Sequence, residues 1–476
     1  MMEFITHTLG RLAGSSRETS RWRTILWLGG GLLLTTGSAL AAWARIAHGM
    51  TLVDLAPAAV GMGGLYLALT VVGPRRVSRW SAAAMVLLAL AMRLPWFFVP
   101  AQPGDDYRRY LWDGAVTANG LNPYAHSPED VARRDVGDPQ WRRLAQRGQA
   151  TLTAINHPHL RTIYPPAAQG AFALAYRISP FSLTAWRVVL LGADAVAALA
   201  VVGLLRFAGR SETLAFIYLW NPLVVIEGIG AAHVDLLAAA LVAIVAWALV
   251  TKRPIGAAVA LTLVVGVKLW PILLTPFLIG AFRDRRRGMA VSLGVLAVLL
   301  SATLWLFSPA VGRSGDSGLV TYARIWTSAS GAYSLFHRLG WRLHNVLASG
   351  VDGHVLGRAL MLAVLLPIAG WLGVRRWGDT AALCRRMGLA VLFMLLLGPS
   401  LWPWYYMPVI PLAALACPRA SLLLWTALVP LCYLEGAGLS SASVTLCVHV
   451  PVWMVLGAEW WMSRGETKTN EKAAHA

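Results

Sequence analysis

SAAAMVLLALAMRLPWFFVPAQPGDDYRRYLWDGAVTANGLNPY, Ser81 to Tyr124, changes character in its middle. Its first part, Ser81 to Val99, is an apolar run long enough to cross a bilayer as a helix. Its second part, Pro103 to Tyr124, is charged and aromatic. There Asp105 and Asp106 fall at the first turn of a helix, where carboxylates can cap free backbone N–H groups. The helix should run to about Asn119 and end at Gly120. Asp106, Arg109, Tyr110 and Asp113 recur at helical spacing, so they share one face. A carboxylate beside an arginine, at the helix end whose dipole is positive, can deprotonate a hydroxyl next to a bound phosphate. The plainer alternative makes both aspartates caps and Asp113 a partner for Arg109, because paired charges are ordinary on exposed helices.

The same alternation of apolar runs and short polar stretches fills the chain. With 476 residues, 57% hydrophobic and 13% charged, and a mean hydropathy of +0.59, a soluble globule is excluded. The composition points to an all-α polytopic membrane protein built as a single integral membrane domain. The net charge of +19 lies mostly in arginine clusters between apolar runs. Topology signals and anionic lipid headgroups explain these clusters better than nucleic acid does. Cys384, Cys417, Cys432 and Cys447 are scattered without CxxC spacing, so neither a disulfide framework nor a metal cluster is expected. The first apolar run, Ile25 to Trp43, lacks a small-residue cleavage site and reads as a retained anchor.

Charge bias sets the expected topology. Arg11, Arg17, Arg21 and Arg23 place the amino terminus in the cytoplasm, and Arg75, Arg76 and Arg79 follow the second run, Leu52 to Val72. The third run then delivers the Asp105 loop, Ala101 to Ile163, to the extracytoplasmic side. That loop is too long for a mere connector. It contains the turn Asn122-Pro123-Tyr124 and a mixed-charge surface stretch from Glu129 to Arg147, and it leads into Tyr164-Pro165-Pro166, which can open the next helix. Between Ala167 and Ile279 two arrangements are open. Five full crossings satisfy the basic run Arg283 to Arg287 but place His233 and Asp235 inside. In the favoured arrangement the Ala167 segment only dips into the membrane and the Ile255 segment is broken around Lys268 and Pro271. Further runs bring the expected total to about 12 to 14 spans, with the carboxyl terminus inside. A second external loop, Ser308 to Gly353, is aromatic and basic. No internal repeat is visible, which weighs against a secondary transporter.

Ionisable residues within apolar segments are costly and placed for a purpose. Lys268 in GVKLWP needs an anion, either a lipid-linked phosphate or an ion pair with Asp194 or Glu227. Glu227, His233 and Asp235 gather in IEGIGAAHVDLL, as a metal site or as a hydrogen-bonded junction. Asp194 reads as structural. His157 and His159 flank Pro158 as acid–base groups, ligands or ordinary loop residues. The Trp402 to Tyr406 cluster either stacks on a sugar ring or lipid chain, or anchors at the interface.

DDYRRYLWDGAVTANGLNPYAHSPED, INHPHLRTIYPPAAQ, NPLVVIEGIGAAHVD, GVKLWP and LWPWYYMPVIPL, in this order from Asp105 to Pro411, resemble glycosyltransferase family 87 of the GT-C superfamily. The resemblance implies a GT-C-like helical bundle (core 81–310 with its catalytic loop 101–163, C-terminal helical part 311–476) preceded by a two-span addition, residues 1–80. It implies a multispanning bacterial inner-membrane enzyme that takes a hexose, mannose by inheritance, from a polyprenyl-phosphate donor to a glycan or glycolipid acceptor. Carried onto this sequence, the catalytic residue is Asp105 or Asp106. Around the substrates the expectation places Arg109, Tyr110, Asp113, Asn122, Tyr124, His157, Arg161 and Tyr164. From later segments it adds Glu227, His233, Asp235, Lys268, Trp402 and Tyr405. A divalent metal is compatible with the residues but not required by them.

The chemistry read from the residues agrees. There is no P-loop or dinucleotide fingerprint, and an enzyme outside the cytoplasm needs a flipped lipid-linked donor. One carboxylate takes the acceptor proton, while Arg109, Arg161 and Lys268 are candidates to steady the departing phosphate. A single base means inversion at the anomeric carbon, and an apolar groove should hold the prenyl tail. Three rivals differ in their signatures. A flippase of lipid-linked sugar would also need buried charges and cavities, but the long acidic external helix without internal pseudo-symmetry favours the enzyme. A glycan polymerase or ligase would depend on Arg324 and His337, and a scaffold would tolerate loss of both aspartates.

Overall fold

The computed structural model describes residues 16–74, 76–100, 106–311, 315–347, 350–416 and 420–474. Their regular structure is helical, and the only strand-like pairing among them is an isolated bridge between Ser328 and Ser400. Among the described residues eight helices are long and apolar enough to cross a bilayer, beginning with Arg21–His48, Leu52–Val72 and Arg79–Phe98 and ending with Ser441–Met462. This is fewer than the expected total of about 12 to 14, because several apolar runs form helices too short to span. A bent pair, Glu212–Leu219 with Val224–Gly230, is a ninth candidate, and four shorter apolar helices complete the bundle. The chain is therefore an all-α polytopic membrane protein.

Asp235–Val250 occupies the centre. It is apolar around its whole circumference, the pattern of a helix with no solvent face, and most of its residues are buried. Leu183–Phe207 and Pro254–Val265 pack along it, and the Trp402–Tyr406 segment covers one end. The first helices join the same core. Trp27 stacks on Trp220 at 4.5 Å, and the Tyr66 hydroxyl donates to Ile217 O at 2.6 Å. Asp194 is structural as expected, but its partner is Arg93, at 2.6 Å, with the Tyr218 hydroxyl donating at 2.8 Å.

Three breaks bring polar groups into the bundle. At Asn221-Pro222 the chain bends by 58°, and Asn221 Oδ1 accepts the free N–H groups of Leu223 and Val224. A π-helical turn over Val224–Gly230 follows, a form concentrated at functional sites, and it carries Glu227. The second break separates Pro254–Val265 from Trp270–Leu274 and presents Lys268, as the sequence suggested; Pro271 has no N–H to continue the ladder. The third lies at Gly398 to Trp402, before the 3-10 turns of Pro403–Val409. The Ala167 segment is a helix of 13 residues, Pro166–Ile178, opened by Pro166.

The polar loop folds against this frame. Its first helix, Tyr107–Ala118, ends at Asn119 with Gly120 at φ +74°, as expected. It lies tightly on Pro166–Ile178, because a Cβ at Gly114 would come within 2.4 Å of Phe172 O. The mixed-charge stretch forms two surface helices, Pro128–Ala132 and Pro139–Arg147. Trp141 and Leu144 of the second pack on Trp112 and Val116. This cluster holds the loop's own helices together, while Tyr107, Tyr110 and Leu111 join it to the core of the bundle.

Candidate functional site

Asp106 stands at the N-cap position of Tyr107–Ala118, but its side chain makes no capping bond. Asn156 Nδ2 donates to Oδ1 at 3.1 Å, and the Tyr164 hydroxyl donates to Oδ2 at 3.2 Å. The plainer capping role therefore does not hold for Asp106. Asp105 lies outside the described residues. Burial and the neighbouring Asp106 charge push the Tyr164 phenol well above its ordinary pKa, so it remains a donor. Tyr110 stands behind it, its hydroxyl 3.3 Å away and its ring stacked on Phe172.

Arg109 and Asp113 share the Asp106 face but are not bonded as the plainer reading had them. Arg109 donates to the carbonyls of His157 at 3.0 Å and Asn156 at 3.4 Å, which fixes the strip that presents Asn156. Asp113 accepts from Gln169 Nε2 at 3.3 Å. Burial lowers the Arg109 pKa and raises that of Asp113, each opposed by the other's charge.

Asp106 faces a cavity of about 380 Å³ that also takes in Arg109, His157, Arg161, Tyr164, Lys268, Trp402 and Tyr405. A second, mainly apolar cavity of about 490 Å³ adjoins it, walled by residues such as Leu273, Met361, Leu365 and Met394. Ile163, Tyr164, Lys268, Tyr322 and Tyr405 line both and make up their shared boundary, the neck. Ile272, Leu362 and Leu366 line the apolar cavity and are also exposed on the outer surface, so the groove reaches the lipid-facing side of the bundle. At the neck Lys268 Nζ lies 2.9 Å from Asp235 Oδ2 and 4.6 Å from the Tyr405 ring centre. The Tyr405 and Tyr322 hydroxyls are 3.1 Å apart.

Other expected site residues have different places. Lys268 pairs with Asp235, not with Asp194 or Glu227. Arg161 lines the cavity, but its guanidinium is bound to Asp316 at 2.9 Å and to the carbonyls of Tyr124 and Pro309, so it joins two loops and is not available as a phosphate ligand. Asn122 accepts from Tyr124 N–H in a local turn, and the buried Tyr124 hydroxyl donates to Tyr164 O. Neither lines the cavity. Glu227 and His233 lie together behind it, 3.5 Å apart; among the described residues no third His, Cys, Asp or Glu joins them to form a metal-binding group. Arg324 and His337, the residues a polymerase would need, bind Asp352 and Trp341.

Asn156, Tyr322, Trp326 and Tyr433 line the cavity and were not singled out from the sequence. The aromatic character of the second loop was the one available signal for Tyr322 and Trp326. Arg187 gave none, since it reads as a basic flank. It is buried and donates to Phe97 O, Val99 O, Ile229 O and Gly230 O, tying the entry to the Asp106 loop to the Glu227 junction.

Comparison with known proteins places this geometry. The family described as alpha-(1->6)-mannopyranosyltransferase, N-terminal domain, matches residues 27–283, just over half of the chain. Alpha-(1->6)-mannopyranosyltransferase A of Mycobacterium tuberculosis is 26% identical over 392 residues, covering 76% of this chain and 71% of that protein. No solved structure matches. The matched segment contains the Asp106 loop, the Glu227 junction and Lys268, and the chain belongs to the alpha-(1->6)-mannopyranosyltransferase family.

Proposed function

We propose that the protein is an extracytoplasmic mannosyltransferase that moves mannose from a polyprenyl phosphate to a hydroxyl of a glycan or glycolipid, with Asp106 as the general base. The observation that carries this reading is the junction of two unlike cavities: a polar one holding Asp106 and an apolar one reaching the lipid-facing surface, joined at Lys268. A prenyl chain lies in the second while its phosphate meets Lys268 in the neck and its sugar enters the first.

The acceptor hydroxyl gives its proton to Asp106 Oδ as its oxygen attacks the anomeric carbon. The bond from that carbon to the phosphate oxygen breaks, and the electron pair leaves on the polyprenyl phosphate. Lys268 compensates the charge that develops there, a form of electrostatic stabilisation that usually contributes the most to such reactions. Asn156 and Tyr164 hold the carboxylate by donating to it and leave its remaining lone pairs for the acceptor. One displacement with one base inverts the anomeric centre, so an alpha product, as in the relative's name, requires a beta-linked donor.

Membranes or purified protein supplied with radiolabelled polyprenyl-phosphate mannose test this reading. Asp106→Asn should lower transfer by about 10²-fold or more, the usual contribution of a positioned base, with the thermal midpoint unchanged. Asp105→Asn should retain transfer. Full transfer by the Asp106 variant discards the assignment, and loss only in the Asp105 variant moves the base by one residue.

A further inference from the structure

Trp402 lines the polar cavity but not the apolar groove, and its indole is the front of a stack of three flat rings. Trp404, which borders the same cavity, is stacked against it, centres 5.2 Å apart and planes within 6°. His233 lies behind Trp404 at 3.8 Å and 17°. Behind the rings, a buried carboxylate and a tyrosine hydroxyl close off the stack. His233 Nε2 is 3.5 Å from Glu227 Oε2, and the Tyr433 hydroxyl donates to the same carboxylate at 2.9 and 3.0 Å.

This arrangement is held against local cost. Glu227 and His233 are 1% and 3% exposed, in a bundle where polar side chains are expensive. Ala232, just before His233, has φ +61°, a left-handed conformation that a residue with a Cβ avoids. Trp186 Nε1 donates to Ala232 O at 2.8 Å and holds the backbone there. A strained backbone and buried polar groups packed against an aromatic face are the kind of local cost that points to a functional face.

We infer that Trp402 is the seat of the acceptor hexose, and that Glu227, acting through His233 and Trp404, is the residue that positions it. A pyranose presents a patch of C–H groups on one face and hydroxyls at its edge. The indole takes the first, and the polar cavity wall takes the second. The donor sugar enters this cavity next to its phosphate at Lys268, so Trp402, which does not border the groove that holds the donor's tail, is assigned to the acceptor ring. Trp326, packed edge-on against His157 at 4.7 Å, borders the same cavity. The inference rests on the proposed direction of transfer and adds the acceptor's place to it.

The test is the steady-state rate with polyprenyl-phosphate mannose as donor and an alkyl mannopyranoside as acceptor probe, each varied against a saturating partner. Trp402→Ala should raise the acceptor KM about tenfold, with the donor KM unchanged, and Trp402→Phe should recover most of the loss. Glu227→Gln and His233→Phe leave the cavity wall itself intact. They should raise the acceptor KM about three- to fivefold while kcat holds, because they loosen the platform without touching the reacting atoms. Thermal midpoints within a few degrees of the wild type confirm folding for each variant. A Trp402→Ala effect confined to the donor KM overturns the acceptor assignment. An unchanged acceptor KM in both Glu227→Gln and His233→Phe overturns the positioning role. Asp106→Asn reports separately: if it transfers normally while Trp402→Ala shifts the acceptor KM, the base is wrong and the platform stands.

Discussion

Lys268 Nζ rests 2.9 Å from the Asp235 carboxylate at the neck between the polar cavity and the apolar groove. The aspartate is almost fully enclosed, whereas the lysine side chain keeps 17% of its surface open, toward the place a donor phosphate would occupy. Lys268→Met should therefore have two separable effects. It strands a buried carboxylate, a loss on the order of 3–5 kcal/mol, and it removes the charge that steadies the leaving group. Adding Asp235→Asn should restore most of the thermal stability but not transfer. A double variant with wild-type rates would remove Lys268 from the reaction.

Tyr164→Phe isolates the support of the base. The hydroxyl that donates to Asp106 at 3.2 Å is lost, but the ring and its edge-on contact with Tyr110 remain. A hydrogen bond to a charged group contributes roughly 1.5–3 kcal/mol. If about half of this is felt in the transition state, kcat falls about three- to tenfold with the donor KM near its wild-type value. A change confined to the donor KM would place the hydroxyl on the substrate instead.

Most of the frame was legible from apolar runs and breakers, because a bilayer leaves helices little alternative. The split around Lys268 and Pro271, the end at Gly120 and the helix opened by Pro166 could be read locally. Partners could not. Arg93 and Asp194 are separated by 101 positions, and nothing near either residue announces the other. Arg161 has a loop arginine's sequence context, yet its contact with Asp316 is 155 positions away and makes it a strut. Asp106 was readable as a helix-start carboxylate. Its release from capping depends on Asn156 and Tyr164, brought back by a loop whose folding rests on Trp112 and Trp141.

The Arg93–Asp194 pair gives a prediction without catalytic content. Both side chains are nearly enclosed, and Tyr218 and the Leu219 carbonyl complete the set. Arg93→Met should cost several kcal/mol, because the carboxylate is left without its cation. Arg93→Met combined with Asp194→Leu should recover much of it, and the donor and acceptor KM of the double variant should match the wild type. A shift in either KM would show that the pair reaches the site.

His157 gives the pH dependence. Burial lowers its pKa, aided by His159 and Arg109 and opposed by Asp106. The folded protein thus binds this proton less readily than the unfolded chain. The stability contributed by the neutral ring is complete above the unfolded value of about 6.5 and is lost as pH falls through the lowered one. The thermal midpoint of the wild type should drop between pH 7 and pH 5 more steeply than that of His157→Gln. Parallel curves would show that the ring titrates as it does in solution.

Met361 forms part of the apolar groove and is 8% exposed, so Met361→Trp should fill the groove without disturbing the polar cavity. A prenyl chain enters from hydrocarbon and not from water, so the groove gains little from the hydrophobic effect and contributes mainly orientation, by close contact along the chain. Blocking it should therefore penalise a long-chain donor, whose tail must be displaced, and spare one with a single isoprene unit, whose tail ends near the neck. The expected outcome is a fall of about tenfold or more in kcat/KM for the long donor and little change for the short one, measured on the same preparation. Equal losses on both donors would mean that the substitution acts on the neck, and equal retention would separate the groove from the reaction.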